Sequence, residues 1–327
     1  MRCSVMANLK KLSKNALAAA AIGVGAYYGA GGLLCAGVLS RRAVNKAPEE
    51  SLNNPADMHR YINNEDFRLS DDWYIANTPA EKSLINRSGK TIHADIITAK
   101  EPSHLWAVIN HGYTSRPRSM ARQGRHFYEN GFNVLLPYMR GHRLSEQNFC
   151  SMGYFDKDDV CDWISYIVSI DPEAQIVVMG CSMGGATTML VTGENLPDNV
   201  KCAVEDCGYT SCYDEFGEQI TKITHLPRFP FLNAANSFSK AFLGFGFEDC
   251  SPLEAVGRSK TPTLFIHGTE DKFVPFWMRD ILFDACTAEK DKLDVPDAAH
   301  DESCEKHPEI YWPKIDAFVA KYIPVLK

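Results

Sequence analysis

Gln175-Ile176-Val177-Val178-Met179 is a short apolar run bounded by a glycine, and Gly185-Ala186-Thr187-Thr188-Met189-Leu190 begins a helical pattern. Between them stands Gly180-Cys181-Ser182-Met183-Gly184. A G-x-S-x-G pattern alone is weak, arising by chance in about one chain of this length in ten. Between a strand and a helix it constrains the chain far more. The turn must be tight, the glycines let the helix pack close, and the serine hydroxyl is lifted above the sheet edge. The helix N-terminus adds the positive end of a dipole beneath it. The bland alternative is a glycine-rich turn with a passive serine.

The rest of the body fits that element. Thr91–Thr98 alternates apolar and polar residues, as a half-buried strand does. Trp106–Asn110, Val134–Pro137, Ile176–Gly180, Val200–Asp206, Thr263–Gly268 and Lys292–Val295 are short apolar runs, expected for central parallel strands covered on both faces. Helical stretches separate them: Ser119–Asn130, Asp156–Ser169, Gly185–Thr192, Phe276–Ala285 and Pro308–Tyr322. The alternation predicts a doubly wound, mostly parallel α/β sheet. With 327 residues the chain can bury one large core, and its net charge of 34 − 41 = −7 argues against nucleic-acid binding.

A serine hydroxyl is a poor nucleophile near neutral pH and needs a base and an orienter. In such a sheet both belong at the C-terminal ends of later strands, in the order serine, acid, histidine. Leu264–Gly268 followed by Thr269-Glu270-Asp271 supplies the acid, and Lys292–Val295 followed by Ala298-Ala299-His300 supplies the histidine. Asp271 is assigned as orienter and His300 as base. Glu270, Glu205 and Asp206 are rival acids, and His307 is a rival histidine before the final helix. His111 and His267, at strand ends, are expected to bond loop backbone. A tetrahedral intermediate also needs two N–H donors. These are expected from Met183, after the serine, and from Tyr113 in His111-Gly112-Tyr113-Thr114, where Gly112 permits close approach. Cys181 is expected to pack beneath the turn. No metal ligand set and no cofactor are called for.

Two segments stand apart. No charged residue lies between Lys14 and Arg41, and Ala16–Leu39 is an apolar stretch of 24 residues. As a helix it is about 36 Å long, enough to cross a hydrocarbon core of about 30 Å. It contains six Gly and eight Ala, which softens the signal. A single-span anchor, a cleaved signal peptide ending near Val24-Gly25-Ala26 and a helix packed on protein all fit. Lys10, Lys11 and Lys14 favour a cytoplasmic N-terminus, while Arg41, Arg42 and Lys46 pull the other way. Residues 1–40 are therefore expected as anchor or signal, 41–65 as a polar tether and 66–327 as the catalytic body. The second segment, Tyr209–Ser251, is too long for a simple connection and holds nine aromatics. It is expected as a lid with Phe238 and Phe242 on the substrate; the alternative is a subdomain with its own core. The chain has 11 cysteines, with no C-x-x-C pair. Cys202, Cys207 and Cys212 are expected as buried small hydrophobes, and Cys212 with Cys250 is the first pair to check in an oxidising compartment.

The sequence resembles the α/β-hydrolase superfamily, and in pattern the bacterial serine aminopeptidase S33-like (Hydrolase_4) group, over roughly residues 66–325. The resemblance rests on Asn110-His111-Gly112-Tyr113, Arg140-Gly141-His142, Gly180 to Gly184, Asp206-Cys207-Gly208-Tyr209, His267-Gly268 with Glu270-Asp271, and Ala299-His300. Arg143 departs from it, standing where the family usually has Gly. The resemblance implies an α/β-hydrolase sheet with a helical lid insertion, preceded here by a hydrophobic helix. It implies chiefly esterases, with peptidases, lipases and acyltransferases among the members. The expected function is hydrolysis of small-molecule acyl esters by a membrane-bound, single-pass protein with an extracytoplasmic catalytic domain. A peptidase or amidase with the same residues, and a non-catalytic binding module, are the alternatives. Glu215 and Glu218 in the insertion are the carboxylates available to a substrate amine.

Overall fold

In a computed structural model that describes residues 2–45, 64–77 and 80–324, the strands read from the sequence are joined by one more at the sheet edge. They are β1 (Ala80–Ile85), β2 (Thr91–Ile97), β3 (Leu105–Asn110), β4 (Asn133–Pro137), β5 (Gln175–Cys181), β6 (Val200–Asp206), β7 (Thr263–Gly268) and β8 (Lys290–Val295). They form a single sheet in the order β1-β2-β4-β3-β5-β6-β7-β8. β2 runs antiparallel to both neighbours, and the remaining pairs are parallel. β1 escapes the sequence reading because its side chains are almost all exposed. Its order comes from pairing with β2, from Ala80 opposite Ile96 to Ile85 opposite Thr91.

The central strands are buried on both faces, and successive residues divide between two cores. Trp106, Val108, Ile176 and Val178 face one core, while Ala107, Ile109, Val177 and Met179 face the other. The second core is closed by α3 (Glu65–Ala76), α4 (Ala121–Glu129), α11 (Ser303–Lys306) and α12 (Pro308–Val319), through Tyr74, Phe127, Cys304, Tyr311 and Phe318. Toward the first lie α5 (Asp156–Ile170) and α6 (Met183–Thr192). Near β7, α9 (Pro252–Arg258) and α10 (Trp277–Ala285) bury a smaller cluster around Phe265.

α6 begins at Met183, two residues earlier than the sequence pattern suggests, so Gly184 and Gly185 are helical. A Cβ on Gly184 would sit 2.0 Å from the Asn110 carbonyl oxygen, and one on Gly180 would sit 2.1 Å from the Gly184 carbonyl oxygen. Gly184→Ala is therefore expected to force α6 off β3 and destabilise the fold by about 3 kcal/mol. Urea unfolding measures it; a loss under about 1 kcal/mol contradicts this packing.

The N-terminal apolar stretch is part of a longer helix, α1 (Arg2–Leu39). Its segment Ala21–Leu39 is long and apolar enough to cross a membrane, a property signal sequences and core helices share. The first residues of the expected tether, from residue 41, pack on the body. Arg41–Val44 forms a short helix, α2, with Ala43 and Val44 buried. Cys150 N–H donates to the Leu39 carbonyl at 2.7 Å and Arg41 N–H to the Asn148 carbonyl at 2.8 Å. The Arg41 guanidinium donates to the carbonyls of Arg143 and Ser145. Asn45 donates to the Gly141 carbonyl and accepts from the Arg143 N–H. These bonds hold Arg143 at φ 41°, left-handed backbone where glycine would be unstrained. Residues 46–63, the rest of the expected tether, lie outside the described residues.

The insertion between β6 and β7 carries α7 (Cys212–Thr224), α8 (Arg228–Phe238) and a π-helical turn at Ser239–Leu243 before α9. Ser211 caps α7 by accepting from Asp214 N–H at 3.0 Å. Cys212 and Cys250 lie side by side as free thiols, joined by the Cys212 N–H to Cys250 carbonyl bond at 2.9 Å.

Candidate active site

Ser182 is the hinge between β5 and α6, at φ 57° and ψ −120°. This left-handed backbone stores about 1–3 kcal/mol in a residue with a Cβ. It is held by the Ser182 N–H, which donates to the Asp206 carbonyl at 2.8 Å, and by the Ser182 carbonyl, which accepts from Ala186 N–H at 2.9 Å. The strain points the hydroxyl away from the core.

Two loops bring the other expected residues to it. His300, after β8, places Nε2 2.8 Å from Ser182 Oγ and Nδ1 2.7 Å from Asp271 Oδ2. Asp271, after β7, is buried, and its Oδ1 accepts from Phe273 N–H at 2.8 Å and Val274 N–H at 2.9 Å. His267 Nε2 donates to the Val274 carbonyl at 2.9 Å and lies 3.3 Å from Asp271 Oδ2. The Phe273 ring packs on the His300 imidazole, centroids 4.9 Å apart. The geometry thus joins Ser182, His300 and Asp271 in one continuous line of contacts.

Electrostatics separates Asp271 from its rivals. Burial pushes its carboxyl up, but the bonds from His267 and His300 more than offset that and hold it at about 2. Glu205, wholly buried, is pushed up to about 8 by desolvation. Asp206 is raised well above the carboxylate range by burial and by Cys207, and its oxygens accept from Tyr311 and Ser303 hydroxyls. Both rivals favour the neutral acid, while Asp271 favours the anion. Glu270 is exposed, and His307 pairs with Glu309 at 2.9 Å away from the site.

Sequence reasoning missed Cys207 at the site, reading it as a small hydrophobe in preference to a metal ligand. It follows β6 in left-handed backbone at φ 48°, and its Sγ lies 3.5 Å from Cys181 Sγ. Cys181 in turn donates to Asp301 Oδ1 at 2.9 Å. The ligating atoms of Cys207, Asp271 and His300 lie within 4.8 Å of one another, as do those of Cys181, Asp206 and Cys207. A metal ion in the first set would compete with the contacts that Asp271 and His300 make. Burial opposes charge on the His300 imidazole, but Cys207 and Asp271 beside it outweigh burial and move it upward. Only the folded positions of β6 and β8 bring thiol and imidazole together, so no local pattern reveals the contact.

The loop after β3 lies against the serine. A Cβ on Gly112 would be 3.5 Å from Ser182 Cβ, so Tyr113 follows at the rim of the site. His111 Nδ1 donates to the Gly112 carbonyl and its Nε2 accepts from Met139 N–H. His142 Nε2 accepts from Thr114 N–H. Burial lowers both imidazoles, so they act as neutral staples between the loops after β3 and β4. The second expected donor residue, Met183, is buried in the first turn of α6.

Above Ser182 opens a cavity of about 240 Å³ with an almost wholly apolar wall. Met183, Tyr113, Phe216, Ile220 and Phe273 line it, together with Leu34 and Val38 from α1. Phe238 and Phe242, expected on the substrate, are not among its lining residues. Their rings lie tilted against each other with centroids 4.7 Å apart; Phe238 packs over Gly32, and Phe242 is exposed beside Tyr28. α1 occupies the side of the insertion to which they point. Glu215 is the carboxylate in the cavity wall. Its Oε1 accepts from Gln219, its Oε2 has no partner among the described residues, and burial pushes it up to about 7.

A profile of the prolyl oligopeptidase family matches residues 119–323. The uncharacterized protein YqkD of Bacillus subtilis (strain 168) is 27% identical over 214 residues, covering 65% of this chain and 70% of that protein. The alpha/beta hydrolase domain-containing protein WAV2 of Arabidopsis thaliana is 28% identical over 201 residues, covering 59% of this chain and 62% of that protein. Among solved structures, the esterase Pf2001 of Pyrococcus furiosus superposes with a TM-score of 0.60 at 19% identity, over 76% of this chain and 95% of its own. The acylaminoacyl peptidase of Pyrococcus horikoshii gives a TM-score of 0.56 at 16% identity, over 75% of this chain and 41% of its own. These likenesses share the sheet described above, the α/β-hydrolase fold.

Proposed function

The chain belongs to the prolyl oligopeptidase family, and on that premise we propose that it is a membrane-associated serine hydrolase of carboxylic esters. The observation that carries the reading is the pair of contacts at 2.8 and 2.7 Å through His300, at the foot of an apolar cavity. His300 Nε2 takes the Ser182 proton as Oγ attacks the acyl carbonyl. Asp271 keeps Nδ1 protonated and stabilises the imidazolium. The N–H groups of Met183 and Tyr113 receive the oxyanion. His300 then returns the proton to the leaving alkoxide, and a water activated at the same nitrogen releases the acid from Ser182.

A peptidase reading draws on one observation. The partnerless Oε2 of Glu215 in the cavity wall suits a substrate ammonium. A matched panel of butyryl ester, butyryl amide and aminoacyl amide separates the two. The ester reading expects the butyryl ester to be turned over fastest; faster cleavage of the aminoacyl amide overturns it.

The pH profile is a further expectation. His300 works as a base only when neutral, and Cys207 and Asp271 bias it toward the charged form. kcat/KM should therefore rise with pH along a limb above the ordinary imidazole range. Cys207→Ala removes one of the two contributions, so that limb should move to lower pH. A limb that stays in place under Cys207→Ala overturns the role given to the thiol.

A further inference from the structure

The segment most able to enter a membrane is also a wall of the cavity. α1 docks on α8 along its last turns. Tyr27 shares a hydrogen bond with Ser237 at 3.2 Å, and Cys35 Sγ donates to the Ala235 carbonyl at 3.3 Å. A Cβ on Gly31 would come within 2.1 Å of the Ala234 carbonyl oxygen, so the two backbones touch there. Further along, the Val38 carbonyl accepts from the Tyr113 hydroxyl at 2.6 Å, beside the serine. Leu34, Cys35, Val38 and Leu39 face the cavity that Ser182 floors.

The opposite flank of α1 is bare. Ile22 and Leu33 are 72% and 77% exposed, and the surface continues through the Tyr28–Phe242 ring pair onto the insertion, where Phe229 is 74% exposed. Three residues that line the cavity are themselves exposed: Val38, Ile223 and Phe273. They mark its mouth, between the C-terminal end of α1 and α7. An apolar surface of this extent beside an apolar mouth is characteristic of a site that meets a membrane. A helix with one flank docked on α8 cannot be ringed by lipid. If Ala21–Leu39 enters a bilayer, the insertion and the mouth go with it to the membrane surface.

We propose that the substrate is an acyl ester dissolved in a membrane, whose chain reaches Ser182 from the lipid through the mouth between α1 and α7, with α1 as the inner wall of the acyl site. This rests on the reading of Ser182 as the nucleophile of an esterase. The size fits: an apolar cavity of about 150 Å³ accepts a benzene ring, so about 240 Å³ accepts a chain of roughly ten carbons before it reaches the opening.

The test uses the full chain with two probes, 4-methylumbelliferyl butyrate in water and 4-methylumbelliferyl palmitate in phosphatidylcholine vesicles. Wild type should hydrolyse both. A Leu33→Glu/Phe242→Glu variant changes exposed residues outside the cavity. It should keep the butyrate rate, lose vesicle binding on sedimentation and lose palmitate hydrolysis by at least about tenfold, since two apolar side chains no longer enter lipid. An unchanged palmitate rate overturns the membrane route. Separately, Leu34→Trp fills the wall and should shorten the soluble acyl-chain profile, lowering octanoyl relative to acetyl turnover by about tenfold. An unchanged profile overturns the role of α1. Wild type active on butyrate but not on vesicle-borne palmitate sinks this proposal alone, whereas inactivity on both esters sinks the esterase reading beneath it.

Discussion

Ser182→Ala is expected to lower ester turnover by about a million-fold while leaving the fold intact. The side chain is small and stands where the chain leaves the core, so its removal opens no large cavity. Alanine also relieves none of the φ 57° strain, because it keeps the Cβ. The variant should therefore unfold at nearly the wild-type temperature. No other nucleophile in the site replaces it: the Cys181 thiol beside the serine is hydrogen-bonded to Asp301. Cys207, just after β6, is buried against Cys181. Single-turnover kinetics with a chromogenic butyryl ester measures the effect. Retention of more than a few per cent of the wild-type rate would show that another atom attacks the carbonyl.

The elements legible in the sequence are those whose burial is uniform. β3 to β7 read as apolar runs because both faces meet helices, and the serine turn reads because its glycines are demanded by contacts as close as 2.0 Å. β1 was illegible because an exposed edge strand has no burial pattern, and its pairing depends on β2. Asp271 and His300 were legible from their places after β7 and β8. What distinguishes Asp271 from Glu205 and Asp206 is not in the sequence, since it comes from two backbone N–H donors and two imidazoles converging on one carboxylate. The failure of Phe238 and Phe242 as cavity residues has the same origin. Nothing local shows that α1 would lie across α8 and take that side of the insertion. The glycines that weaken Ala16–Leu39 as a membrane span include Gly31 and Gly32, which let α1 approach α8 and Phe238. The softness that tempered the anchor reading is, in the fold, a docking surface.

Asp271→Asn is expected to lower turnover by about 10⁴-fold. The Asp271 carboxylate accepts from Phe273 N–H, Val274 N–H and His300 Nδ1. An asparagine can keep the two backbone bonds through its carbonyl oxygen. It then turns an NH₂ toward His300, which must offer Nδ1 as acceptor and carry its proton on Nε2. The nitrogen facing Ser182 can no longer accept the hydroxyl proton, so the base is lost while the geometry survives. Stability gives an independent readout with a fixed sign. The native carboxyl titrates at about 2, below its ordinary 3.8. Its stabilising contribution is therefore complete above pH 3.8 and disappears as pH falls toward 2. In that window the wild-type melting temperature should drop toward that of Asp271→Asn, and between about pH 4 and the ordinary imidazole range, where His300 adds its own linkage, the gap should be constant. Glu205→Gln and Asp206→Asn should leave turnover within about tenfold of wild type, since both side chains favour the neutral acid already. A severe Glu205→Gln or Asp206→Asn effect with a mild Asp271→Asn effect would move the orienting acid from β7 to β6.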